Sequence, residues 1–227
     1  MRALPILDES SPILRRTQGE IAALLAGDLA DAAARAHVAI DEAARVALAR
    51  SPALDPACAA GCSWCCHVHA DATVPEILAA ARHLRGAMSR EALAAFRDRL
   101  AAHVERVVDL DDQARWGQRI PCALLAQDGR CSIYEARPLR CRAFHSCSVD
   151  RCRDAFEGVS DEETVISPSL QRACRAVEDA YDDALAEVGI APEGYRFEVG
   201  LLIAIDDPSA SDRFRAGEDV FARARPR

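Results

Sequence analysis

The chain has no lysine and no asparagine, and its 28 lysine-or-arginine positions are all arginine. Without lysine there is no Schiff-base or catalytic ammonium group. Without asparagine no Cys-His-Asn triad can be assembled. Codon bias in a GC-rich genome is the ordinary cause of such a composition, and the abundance of alanine agrees with it. Long apolar runs are missing as well. The stretch Met1–Ser10 has no continuous apolar region, so neither a signal peptide nor a membrane span is expected. Positive charge is not in excess: 28 arginines face 36 acids, for a net charge of −8. Such a chain is poorly suited to general nucleic-acid or anionic-membrane binding. These absences point to a cytoplasmic location with no nucleic-acid and no membrane partner. Half of the residues are apolar, so a packed core is expected.

Cysteine, by contrast, is plentiful, with ten in 227 residues. In the reducing cytosol these are expected to bind metal or do redox chemistry rather than form structural disulfides. The densest run is Cys58-Ala-Ala-Gly-Cys62-Ser-Trp-Cys65-Cys66-His67-Val68-His69, whose remaining residues are uncharged. Thiolates three or four residues apart can reach one metal, and soft sulfur suits zinc, iron–sulfur clusters and Cu(I). The second cysteine segment reads C-x8-C-x9-C through Cys122, Cys131 and Cys141, after an insertion of 55 residues. Neither segment alone makes a good four-ligand site, so both are expected to close around the metal.

Familiar motifs fail in detail. A c-type haem needs Cys-x-x-Cys-His, but Cys62-x-x-Cys65 is followed by Cys66. The bacterial ferredoxin run needs a cysteine where Val68 stands. A zinc ribbon needs a second C-x2-C, and a thioredoxin-like dithiol needs a βαβ setting. Cys65 and Cys66 are adjacent, so their side chains are expected to diverge. One would face the main site, and the other would bridge, serve a second metal or sit in the core.

The surroundings read as mainly α: a helical domain with a short β-hairpin and a Cys-rich metal-binding centre. Helical spacing covers 12–50 with a break at Gly27-Asp28. Thr73 and Glu76 form a capping box for a helix to about Met88, and Ser89 caps another over about 90–109. Residues 110–119 read as a polar loop. The stretch 120–134 reads as a hairpin turning at Asp128-Gly129. Pro168 opens a long helix ending near Gly189. The segment 195–205 is expected to be helical, and the tail from Pro208 partly ordered. The domain reading is N-terminal helices over 1–50, a cysteine-cluster core over 51–158, and C-terminal helices with a tail over 159–227, together one compact unit.

Beyond the cysteines, Arg137, Arg140 and Arg142 lie in an arginine-rich stretch. They would lower thiol pKa values, offset an anionic cluster, or hold an acidic group; ordinary surface pairing is the competing reading. His67, His69 and His145 are further candidate ligands. Trp64 and Tyr134 read as packing residues, His83 and His103 as surface or packing residues, and Cys174 as a core thiol.

The cysteine run, followed by Pro121-Cys122-Ala123-Leu124-Leu125 and by Gly129-Arg130-Cys131-Ser132-Ile133-Tyr134-Glu135-Ala136-Arg137-Pro138-Leu139-Arg140-Cys141-Arg142, resembles the YkgJ-like CxxxCxxCC cysteine-cluster family of zinc- or iron-chelating domains. The resemblance implies a cytosolic, mostly helical metal-binding domain with Cys58, Cys62, Cys65, Cys66, Cys122, Cys131 and Cys141 as ligands. A related group, the flagellin lysine N-methylases, carries a similar cluster within an enzyme. No G-x-G-x-x-G fingerprint is present here, so that activity is not carried over. Three readings stay open. The first is an iron–sulfur protein, with a [4Fe-4S] cluster favoured and a redox or modification role. The others are a structural zinc module for partner binding and a thiol redox sensor. No substrate, reaction or identifiable protein or small-molecule partner is legible.

Overall fold

The structure, a computed structural model, describes residues 12–50, 55–160 and 164–226. It begins with two helices, α1 (Pro12–Gly27) and α2 (Leu29–Arg50). The break between them is made by Asp28, whose Oδ1 accepts from the amides of Ala30 at 2.8 Å and Asp31 at 3.1 Å. That is N-cap chemistry. The inner face of α2 is largely alanine, with Ala32, Ala33, Ala36, Ala39 and Ala43 all buried. Small side chains let neighbouring helices approach closely. α8 (Pro168–Glu187) packs against both α1 and α2, and α3 (Val74–Ala87) packs against α2.

α9 (Phe197–Asp206) lies on α3, with α4 (Arg90–Val107) beside it. Gly200 makes the α3–α9 approach feasible, because a β-carbon there would stand 2.5 Å from Ile77 Cδ1. Two short strands, β1 (Asp71–Ala72) and β2 (Tyr195–Arg196), pair antiparallel with Asp71 opposite Arg196 and Ala72 opposite Tyr195. This pairing brings the N-termini of α3 and α9 together beside the end of the first cysteine run.

Glu76 ties a second junction. It is buried in the first turn of α3 and accepts from Thr73 N at 2.8 Å, Thr73 Oγ1 at 2.7 Å and Leu139 N at 2.6 Å. Leu139 opens α6 (Leu139–Ala143), the short helix that carries Cys141. The expected capping box therefore also anchors a cysteine-bearing element. Burial raises the Glu76 carboxyl pKa despite these donors.

Three local expectations change. The polar stretch 110–119 contains a helix, α5 (Asp112–Gly117), because the Asp111 side chain caps it by accepting from Ala114 N at 2.7 Å. The hairpin of 120–134 is a tight turn closed by one antiparallel bridge, Leu125 to Cys131. The two-stranded pairing is instead β1 with β2. The tail is ordered through α10 (Ala210–Arg215) and a 3-10 turn at Ala222–Ala224, held by the buried Phe221 and Ala224. Among the described residues, no helix is long and apolar enough to cross a membrane.

Candidate metal centre

The first cysteine run folds as a turn and then a 3-10 segment. Gly61 takes a positive φ of 91°, and Cys62 N donates to Ala59 O at 2.9 Å. Residues Trp64–His67 form one 3-10 turn, which carries Cys65 and Cys66. The second run docks onto it through backbone. Cys122 N donates to Cys66 O at 2.7 Å. The Asp128-Gly129 turn presses on the Gly61 turn so closely that a β-carbon on Gly129 would meet Gly61 O at 2.7 Å. Further along, Ala57 N donates to Ser146 O at 2.7 Å, and Ser146 N donates to Cys58 Sγ at 3.3 Å.

The thiols differ in access and charge. Cys58, Cys65 and Cys141 are exposed, Cys174 is buried in the core, and the other six are half-buried. The two halves of the site feel one another. A hydrogen bond from the Cys66 thiol brings Cys65 down to about 7, with Arg137 assisting. The same bond holds Cys66 protonated, and burial, Cys65, Cys122 and Cys141 raise it further. Surrounding protein pushes Cys141 up to about 12, with Cys65 and Cys131 adding to the effect. Burial also raises Cys122, Cys131 and Cys62.

The candidate histidines fare differently. His69 Nδ1 lies 3.0 Å from Arg115 Nη1, and its Nε2 lies 2.9 Å from Leu110 O. Arginine can only donate, so His69 is the Nε2–H tautomer with both nitrogens engaged. His145 Nε2 accepts from Ser167 N at 3.0 Å, and its Nδ1 faces Ala143 O at 3.2 Å. His67 Nδ1 faces Trp64 O at 3.3 Å, leaving Nε2 without a hydrogen-bond partner among the described residues. Its ring packs on Phe156 at 4.5 Å, and Trp64 packs on the same ring at 5.3 Å.

The arginines divide too. Arg142 is committed to structure: it binds both Asp41 carboxylate oxygens, at 3.0 and 2.8 Å, and the carbonyls of Tyr134 and Glu135. Arg140 is exposed and in no ion pair among the described residues. Arg137 stacks over the exposed Tyr134 ring at 3.9 Å, and its buried Nε has no hydrogen-bond partner. Arg137 lowers the pKa of Cys65, Cys131 and Cys141, so its charge acts on both halves of the site.

One group of residues beneath the site was not foreseen. Arg115 is fully buried and meets Glu198 through Nη1–Oε2 at 2.5 Å and Nη2–Oε1 at 3.2 Å. Ala123 N also donates to Glu198 Oε1, at 2.8 Å. His103 Nε2 lies 2.8 Å from the same oxygen but is not aligned for a hydrogen bond. Burial would raise Glu198, but His103 and Arg115 outweigh it and bring the carboxyl down to about 2. This buried pair fixes the backbone immediately after Cys122. A lone carboxylate in the apolar stretch Phe197–Ile205 was the available signal. Arg115, in a polar stretch, gave none.

Residues 57–170, half of the chain, match the CxxCxxCC family, described as a zinc- or iron-chelating domain. The chain belongs to this family. Neither a curated protein nor a solved structure matches it. The matched segment holds every cysteine except Cys174. The donor set suits the family's chemistry: soft sulfur for zinc or iron, a backbone amide on Cys58 Sγ, and a nearby guanidinium to offset thiolate charge. As the side chains stand, no three His, Cys, Asp or Glu groups among the described residues converge to hold one ion. The two runs are joined instead by backbone contacts, Cys122 N to Cys66 O and the Gly129 turn on the Gly61 turn.

Proposed function

We propose that this member of the CxxCxxCC family holds an iron–sulfur cluster, of the [4Fe-4S] type, through cysteine thiolates, and that it serves a redox or modification role. The thiols assigned to metal are Cys58, Cys62, Cys65, Cys66, Cys122, Cys131 and Cys141. Arg137 and Arg140 are assigned to the charge of the cofactor, and Arg142 to holding the Tyr134–Arg137 segment in place. The observation that carries the reading is Arg137. It is a cation without a carboxylate partner among the described residues, set beside thiols from both cysteine runs. A cluster bound by thiolates is anionic and is stabilised by a nearby fixed positive charge. When bound, the cluster would supply one-electron chemistry. The chain's own residues hold the thiolates, neutralise their charge and, through Trp64, His67 and Phe156, cover one side of the turn.

The competing reading is a structural zinc module that serves partner binding. It is favoured by the backbone contacts joining the two runs, which a closed four-thiolate ion would reinforce. Anaerobic purification separates the two. The cluster reading expects a brown protein with broad visible absorbance that bleaches on reduction, and with iron matched by acid-labile sulfide. A colourless protein with stoichiometric zinc overturns it.

A further inference from the structure

One tetrahedral ion takes four thiolates, and so does one [4Fe-4S] cluster. The family segment supplies more sulfur than that, and the fold sorts it. On one side, Cys122 is bonded through its amide to Cys66 O, and the Leu125–Cys131 bridge lays Cys131 against the chain just after Cys122. Cys141 sits on α6, anchored by Glu76 through Leu139 N. On the other side, α7 (Val149–Glu157) rests on the 3-10 turn through Phe156, whose ring meets Trp64 and His67. Cys152 precedes Phe156 by four residues and therefore lies on the same face of α7. That face looks onto the turn that follows Cys62. Cys58 is held by the amide of Ser146, the residue before Cys147.

The 3-10 turn Trp64–His67, which carries the adjacent Cys65 and Cys66, lies between the two groups: Cys122 docks on it through the Cys66 carbonyl, and α7 docks on it through Phe156.

We propose that the chain holds two thiolate centres rather than one. Cys66, Cys122, Cys131 and Cys141 surround the first; Cys58, Cys62, Cys147 and Cys152 surround the second; Cys65 stands at the seam. Each thiol that ligates releases its proton to solvent. The inference deepens the metal-binding reading and rests on it.

The test uses the full chain, reduced, freed of metal under anaerobic conditions and titrated with cadmium(II). Two bound ions and two cadmium-113 resonances in the thiolate range are expected for the wild-type chain. The double variant Cys58→Ser/Cys152→Ser should lose one resonance, and Cys131→Ser/Cys141→Ser the other. One ion with one resonance in the wild type overturns the partition and leaves metal binding intact. So does loss of both resonances in either variant with unchanged circular dichroism. A chain that binds no cadmium overturns the metal-binding reading as well. The wild-type stoichiometry decides even where a variant fails to fold.

Discussion

At Gly129 two residue-level constraints coincide. Its φ is +77°, and a β-carbon would stand 2.7 Å from the backbone oxygen of Gly61. Gly158 has nearly the same φ, +72°, with nothing within 4 Å. Gly129→Ala should therefore cost about 1–3 kcal/mol for the left-handed backbone, plus the price of separating the two turns. Gly158→Ala should show only the first part. Denaturant midpoints of the two variants, with and without metal, measure the difference, and equal losses would show that the contact between the turns is not needed. Cys65 makes a second residue-level prediction. It is exposed and, with a thiol pKa near 7, carries thiolate at neutral pH. In the metal-free chain, limiting iodoacetamide should modify Cys65 before any other cysteine, as read by peptide mapping. Prior modification of Cys58 or Cys141 would contradict the assigned Cys66-to-Cys65 hydrogen bond. None of this is legible in the one-dimensional spacing. Asp128-Gly129 announces a turn, but not the turn it touches.

Among the elements, α5 and α9 meet through the Arg115–Glu198 pair under Cys122. Removing one partner of a buried ion pair leaves an uncompensated charge, which costs about 3–5 kcal/mol. Glu198→Ala should destabilise the chain by about that much, whereas Glu198→Gln keeps acceptor capacity for Ala123 N and should cost less. Chemical denaturation of the two variants checks the order. At the other edge, Phe156 clamps α7 to the 3-10 turn. Phe156→Ala should raise the hydrogen-exchange rates of amides in Val149–Glu157 while leaving those of α3 unchanged. Uniform acceleration across both helices would show that α7 is held by something other than its ring contacts. The expected helices at 12–50, 73–88 and 168–189 follow from caps, proline and apolar spacing. α5 escaped because six residues are too few for periodicity to show.

For the whole molecule, acid stability carries the signature of these buried groups. The Glu198 carboxyl lies near 2 in the folded chain against an ordinary 4.5. Its stabilisation is complete above the ordinary value and is lost as pH falls through the folded one. His37, brought to about 4 from 6.5 chiefly by burial and then by Arg142, resists protonation when folded. The unfolded chain therefore takes up that proton first, and stability declines as pH falls from 6.5 towards 4. Glu76 and Asp182, raised by burial, work in the opposite sense. The clean measurement is a difference: Glu198→Gln should flatten the pH dependence of unfolding free energy between pH 4.5 and 2. An unchanged slope would mean that Glu198 titrates normally.

Thiol chemistry and most of the architecture are local properties, and the sequence by itself determined them. Cysteine spacing needs only the chain's own order, the absence of lysine excludes whole reaction classes, and helix caps act within four residues. Which parts of the two cysteine runs touch was settled only by the tertiary structure, because that depends on contacts between residues far apart in the chain. Cys58 meets Ser146, Cys66 meets Cys122, and the Gly61 turn meets the Gly129 turn. The fate of the other candidates was decided in the same way. His69 and His145 have both ring nitrogens engaged, Arg142 is held by Asp41, and Arg137 stacks on Tyr134 with its buried Nε unpartnered, because distant helices deliver or withhold their partners.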